Sequence, residues 1–257
     1  MDTNRQNQTF FLTEIGELVT MFIPGHQGPI LPSQIDQIQI LQDAYLELAE
    51  GRIVGWGPMA EFENTQGLPV RSLQGRTVLP GLVDPHTHLV FAGTREHELV
   101  QRIRTARHQP KDQRMAGGIN FTVSKTREAS FEQLQQEALG RLARMLAHGT
   151  TTAEAKSGYG LNLEHELRLL EVVASLRLQP IELVSTFLGA HAVPAGSTQA
   201  DYVEEVLAMI PVVAERQLAE FCDVFCEQGF FTPEETRRIL LKAREHGLKL
   251  KLHADEL

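Results

Sequence analysis

"TTTAEAKSGYGLNLEHELRLLEVVASLRLQPIELVSTFLGAH", residues 150–191, decides the fold. Thr150–Lys156 reads as a β-strand. Asn162 is an N-cap residue, and the run behind it reads as an amphipathic helix. Ile181–His191 is a second strand. A strand, a helix and a strand in direct succession imply a parallel pair joined by a helical crossover.

The same alternation extends both ways along the chain. Upstream, the apolar run "RTVLPGLVD" (76–84) reads as a strand, and a long loop separates it from the helix "SFEQLQQEALGRLARMLAHG" (130–149). Ser130 and Gln133 form a capping-box pair there, and Gly149 is the C′ residue. Downstream, "DYVEEVLAMIPVVAERQ" (201–217) reads as a helix that Pro211 kinks or splits. "CDVFCE" (222–227) is a strand. "TPEETRRILLKAREHG" (232–247) is a helix with Thr232 and Glu235 as capping box, Pro233 at N1 and Gly247 at its end. "LKLKLHADE" (248–256) is a fifth strand. Residues before about 77 read as short strands, with a hairpin over 44–57 turning at Glu50-Gly51.

The fold class predicted is α/β: a partial (β/α)8 barrel over 77–257, with residues 1–76 forming part of a small β-sandwich. A doubly wound dinucleotide-binding sheet is disfavoured, because no Gly-rich phosphate loop follows the first strand. Polar residues instead stand at the C-terminal end of almost every strand: His86 and His88, Lys156–Tyr159, His191, Glu227, then His253 and Glu256. Barrel enzymes collect their active sites on that rim. A full barrel has eight strands and takes roughly 250 residues. Five strands over residues 78–257 fall short of it, so the sequence reads as the front part of a longer enzyme design.

Composition narrows the function. The 257 residues include 24 basic and 33 acidic ones, a net charge of -9, which argues against a general nucleic-acid surface. One basic cluster, Arg102, Arg104, Arg107, Lys111 and Arg114, reads as a solvated loop or as a lid that draws in an anionic small molecule. Cys222 and Cys226, four apart in a strand, would lie roughly 13 Å from each other and cannot pair. Free thiols, a polar N-terminus and no apolar run near 20 residues predict a cytoplasmic protein without a membrane span. An open five-stranded sheet leaves a parallel edge unpaired, so self-association, in its simplest form a homodimer, is expected.

His86 and His88 are one residue apart, and in a strand i and i+2 share a face. Two imidazoles at a strand's C-terminal end can hold one cation, and His253, ending the fifth strand, is the natural third ligand of a zinc-type site. A pair of hydrogen-bonded rim histidines is the bland alternative. His148 and His246 precede helix-ending glycines, where capping suffices to explain them. A rim metal makes hydroxide near neutral pH and polarises a carbonyl, which is the chemistry of hydrolysis. Glu256 is the candidate for moving protons. Asp84 reads as structural. Lys156 is either a carboxylated metal bridge or an ion-pair partner of Glu154. Arg95 suits a substrate carboxylate. Tyr159, between two glycines, can donate its hydroxyl to a ligand.

The motifs "VLPGLVDPHTHLVFAGTRE", "GGINFTVSKTR", "HGTTTAEAKSGYGL", "TFLGAHAVP", "DVFCEQGFF" and "LKLHADEL", in this order, resemble the imidazolonepropionase family of the amidohydrolase superfamily. The resemblance implies hydrolysis of the cyclic amide of 4-imidazolone-5-propanoate to N-formimidoyl-L-glutamate in histidine degradation. It implies one zinc or iron ion held by His86, His88 and His253. It implies substrate contacts from Arg95, Tyr159, His191 and Glu256, with Arg95 on the propanoate carboxylate and Glu256 also catalytic. The family pattern adds a later aspartate ligand and further strands, which this sequence lacks. A heterocycle deaminase is the alternative enzyme, disfavoured by Arg95 because such substrates carry no carboxylate. A catalytically silent fragment is the alternative outside enzymes.

Overall fold

The computed structural model describes residues 9–96, 98, 118–177 and 179–256. The chain divides into two compact units, Met1–Pro80 and Gly81–Leu257.

In the first unit, β1 (Phe10–Val19), β2 (Ile40–Ala49), β3 (Arg52–Pro58) and β4 (Val70–Ser72) form a sheet in the order β3-β2-β1-β4, and β5 (Thr77–Val78) also pairs with β1. The β2–β3 hairpin turns where the sequence predicts it. Glu50 and Gly51 take φ of 51° and 74°, the consecutive left-handed pair that a two-residue hairpin favours. Ile15, Leu18, Ala44 and Leu46 are the buried centre of this unit.

The second unit is a five-stranded sheet in the order β10-β9-β8-β7-β6, with every pair parallel. Its strands are β6 (Leu82–Asp84), β7 (Thr150–Lys156), β8 (Glu182–Ala190), β9 (Phe221–Val224) and β10 (Lys249–Leu250). The five strands and their order match the sequence reading. The stretch 76–84 does not form one strand, however: Thr77–Val78 pair with β1, while Leu82–Asp84 pair with β7. Predicted ends shorten on β10, which has β9 as its single neighbour. A lone bridge, Phe225 to His253, continues that pairing beyond it. β8 is buried on nearly every residue, which explains its unbroken apolar run.

Five helices accompany these strands among the described residues: α1 (Gly118–Glu128), α2 (Phe131–Ala147), α3 (Leu163–Ser175), α4 (Gln199–Glu215) and α5 (Pro233–Glu245). α1 falls where the sequence suggested loop. Two of the three residues it buries are threonines, Thr122 and Thr126, so little apolar periodicity betrays it. Thr126 Oγ1 accepts from Ala92 N–H, tying α1 to the chain after β6.

The predicted caps of α2, α3 and α5 hold: Ser130, Asn162 and Thr232 accept from the N3 amides. Only α5 has the reciprocal capping box, because the Gln133 side chain bonds Glu137 instead. His148 and His246 are the C-caps of α2 and α5. α4 runs unbroken through Pro211, so of the expected kink or split the split does not occur. Buried Tyr202, Val203, Val206, Met209, Ile210 and Val213 hold it on both sides of the proline.

Cys222 is buried, Cys226 half-buried, and both are free thiols. No helix among the described residues is long and apolar enough to cross a membrane.

The Thr232 cap gives a direct check on α5. Thr232→Ala removes the acceptor for the Glu235 amide and is expected to lower stability by about 1 kcal/mol. Urea denaturation reads this as a lower midpoint at unchanged slope; an unmoved midpoint would contradict the cap's role.

Candidate metal centre

Parallel strands in sequence order bring their C-terminal ends to one edge of the sheet. The chain leaves β6 at Asp84, so His86 and His88 stand just past the strand rather than within it. They still run beside β7, where Thr87 O accepts from Lys156 N–H at 3.0 Å. Asp84 Oδ1 accepts from His86 N–H, a local structural role. Across the sheet, His253 donates its amide to Val224 O, and its carbonyl accepts from Cys226 N–H.

These backbone anchors bring His86, His88 and His253 together, with one ring nitrogen from each within 4.8 Å of the others. His86 Nε2 and His253 Nε2 are 2.9 Å apart. Two nitrogens that close need a proton or a cation between them. Ligands on a tetrahedral zinc at about 2.05 Å are roughly 3.3 Å from one another, so this hydrogen-bonded pair would have to part by a few tenths of an ångström to share an ion. His88 Nδ1 is buried and has no hydrogen-bond partner among the described residues, a second sign that this ring's bonding capacity is reserved. Burial lowers the pKa of His86 and lowers that of His88 further. Both favour the neutral imidazole that metals bind.

A second group lies against the first. His191, after β8, stacks on His88 with centroids 4.8 Å apart and planes 14° from parallel. Its Nδ1 bonds Gly158 O at 2.9 Å, which leaves Nε2 free to meet a ligand. Burial pushes its pKa down to about 4. Tyr159 lies 5.2 Å from His88 and 5.3 Å from His191, ring to ring, and burial raises its pKa, so it keeps its proton as a donor.

The flanking glycines do what the sequence suggests. Gly158 takes φ of 109°, and a Cβ there would meet His191 Nδ1 at 2.9 Å; one on Gly160 would meet Glu166 N at 2.5 Å. Arg95 pairs with Glu98 at 3.9 Å and is close enough to act electrostatically on Tyr159 and His191. Glu256 is exposed and lies outside the histidine trio, but its charge also reaches Tyr159. Its amide donates to Glu227 Oε2. The basic cluster of 102–114, with His97 and His108, falls outside the described residues.

Three further charged residues escaped the sequence reading. Glu166, fully buried in α3, accepts from the amides of Gly158, Gly160 and Leu161 and so fixes the Tyr159 loop. Asp223, on β9, accepts from His253 Nδ1 and Lys156 Nζ, both at 2.6 Å. Lys156 also pairs with Glu154 at 2.9 Å, and Lys251 reaches Glu154 at 2.5 Å. Lys156 is therefore an ion-pair residue, the simpler of its two sequence readings. Only a chemistry-bearing residue inside an otherwise apolar strand, such as Asp223 in "FCDVF", could have flagged this network.

No protein-family model matches the chain. Imidazolonepropionase from Streptococcus pyogenes is 44% identical over 254 residues, which cover 96% of this chain and 59% of that protein. The protein of that name from Geobacillus thermodenitrificans is 44% identical over 256 residues, covering 96% and 60%. The chain therefore spans about three-fifths of the length of these relatives. Among solved structures, 5-methylcytosine deaminase from Klebsiella pneumoniae superposes with a TM-score of 0.60 at 14% identity, covering 96% of this chain and 52% of that one. Guanine deaminase from E. coli does so with a TM-score of 0.59 at 16% identity, with the same coverage.

The fold is similar to that of these two deaminases. By sequence, the chain is similar to imidazolonepropionases over nearly its whole length.

The lowered His191 pKa has a consequence for stability. The unfolded ring takes up a proton below about pH 6.5, while the folded ring resists until about 4. The folded state therefore binds fewer protons in that window, and stability falls as pH drops through it. At pH 5 the His191 contribution is about 2 kcal/mol. Thermal melts of metal-free protein at pH 7.5 and 5 are expected to show a smaller acid loss in His191→Gln than in wild type. Equal losses would contradict the assignment.

Proposed function

We propose that this chain carries the metal-binding and carboxylate-binding part of an imidazolonepropionase, which opens the cyclic amide of 4-imidazolone-5-propanoate to N-formimidoyl-L-glutamate. The parallel sheet then supplies five staves of a (β/α)8 barrel, and the sheet of the first unit is part of a small β-sandwich. What supports this reading most is the convergence of His86, His88 and His253 beside Tyr159, His191 and Arg95.

In this reading the three imidazoles hold one zinc or iron ion through neutral ring nitrogens. Nitrogen donors accept either metal. When bound, the ion supplies Lewis-acid polarisation of the amide carbonyl and lowers the pKa of water toward neutrality. The remaining work falls to the chain's own side chains. Arg95 grips the propanoate carboxylate through its guanidinium fork, which fixes the ring's register in the site. Tyr159 donates its hydroxyl to the substrate. His191, with Nδ1 engaged by Gly158 O, offers Nε2 to the substrate. Glu256 moves protons. Water is added across the amide C–N bond, so a proton leaves the attacking water and another must reach the departing ring nitrogen. An exposed carboxylate can serve both transfers.

The protein is first loaded with zinc or ferrous iron and its metal content is measured. N-formimidoyl-L-glutamate is then expected from 4-imidazolone-5-propanoate. Arg95→Ala is expected to raise KM about 10- to 100-fold, the worth of a charge-assisted contact of ~1.5–3 kcal/mol, with a smaller change in kcat. Metal-loaded protein that forms no product, but releases ammonia from an aminated heterocycle, would overturn the assignment in favour of a deaminase.

A further inference from the structure

Asp223 belongs to no part of the mechanism above, yet it touches the most buried member of the histidine trio. His253 is 8% exposed and Asp223 1%. Asp223 Oδ2 lies 2.6 Å from His253 Nδ1. The other nitrogen of the ring, Nε2, faces His86 Nε2 at 2.9 Å. The ring therefore has one face anchored in the sheet and the other turned into the cluster.

The anchor is itself braced. Lys156 Nζ donates to the same Oδ2 at 2.6 Å and pairs with Glu154 Oε2 at 2.9 Å. Lys251 and Thr186 close on Glu154 Oε1 at 2.5 and 2.6 Å. Asp223 Oδ1 accepts from Val224 N–H at 2.9 Å, which pins the carboxylate from its other side. Two carboxylates and two ammonium groups make this network neutral. It spans β7, β9 and the chain just after β10, three of the strands whose ends form the site.

We infer that Asp223 is a positioning residue for a metal ion: it holds His253 with its proton on Nδ1, so that Nε2 is committed as a ligand alongside His86 and His88. Lys156 holds Asp223 in place through β7. The inference rests on the reading of the three histidines as a metal site. A metal-bound imidazole whose second nitrogen donates to a carboxylate has a fixed tautomer and orientation and a more basic ligand atom, and losing such a partner weakens metal binding about 10- to 100-fold.

The test uses the 257-residue protein stripped of metal. Zinc is titrated against a chromophoric chelator, with wild type compared with Asp223→Asn. The amide keeps the shape but loses the charge, and its zinc affinity is expected to be about 10- to 100-fold lower. Folded Asp223→Asn that binds zinc as tightly as wild type would overturn the positioning role and leave the metal reading intact. Wild type that takes up no zinc would overturn both.

A second measurement needs no variant. Long-range proton–nitrogen NMR of the histidine rings in wild type is expected to show His253 as the Nδ1–H tautomer before and after zinc, with only Nε2 shifting on binding. His253 protonated on Nε2 in either state would overturn the inference. A purely structural salt bridge would also keep the Nδ1 proton but would leave Nε2 unmoved by zinc.

Discussion

Everything in the second unit depends on one constraint: five parallel strands, taken in chain order, must end on the same edge of one sheet. Parallel pairing throughout the sheet enforces it. The imidazoles of His86, His88, His191 and His253 come from positions up to 167 residues apart, yet all four rings lie within a little over 6 Å of a neighbour in the group. Nothing local in the sequence could hold them there. The burial of β8 and of the second half of β7 on both faces, with helix α3 contributing Leu169 and Leu170 and helix α4 contributing Val203 and Val206 to the core, keeps the strands in register and hence keeps the rings in place.

The polar interior just beneath this rim is where the fold carries electrostatic risk. Glu154, Lys156 and Asp223 are each at most 3% exposed. Burial alone would raise the carboxyl pKa values of Glu154 and Asp223. Their bonds to Lys251, Thr186, Lys156 and His253 outweigh that and bring both below the ordinary range. Such a network is weak evidence for stability, because desolvation offsets most of the attraction. Its value is geometric: each member fixes the next, and the last bond in the series lands on a histidine of the site. Glu166 does comparable work for the other half, taking three main-chain amides of the Tyr159 loop onto one carboxylate.

What could be read from the sequence was what depends on near neighbours. Asn162, Ser130 and Thr232 announce their helices because a cap acts over three residues. Glu50-Gly51 announces its hairpin for the same reason. Strand order and the pairing of His86 with His88 follow from alternation and spacing. What could not be read depends on register between strands. Asp223 meets Lys156 and His253 only because β9 lies between β8 and β10 in the sheet, and nothing near residue 223 states that. The helix over Gly118–Glu128 was hidden for a different reason, since its buried face is largely threonine. The split of residues 76–84 between two sheets was hidden because both ends are equally apolar.

The most direct measurement is X-ray absorption at the zinc edge on protein reconstituted with one equivalent of zinc. A first shell of nitrogen and oxygen at about 2.0–2.1 Å is expected, with outer-shell scattering that fits three imidazoles in wild type and two in His253→Ala. A sulfur shell at about 2.3 Å, or an imidazole count unchanged by that substitution, would contradict it.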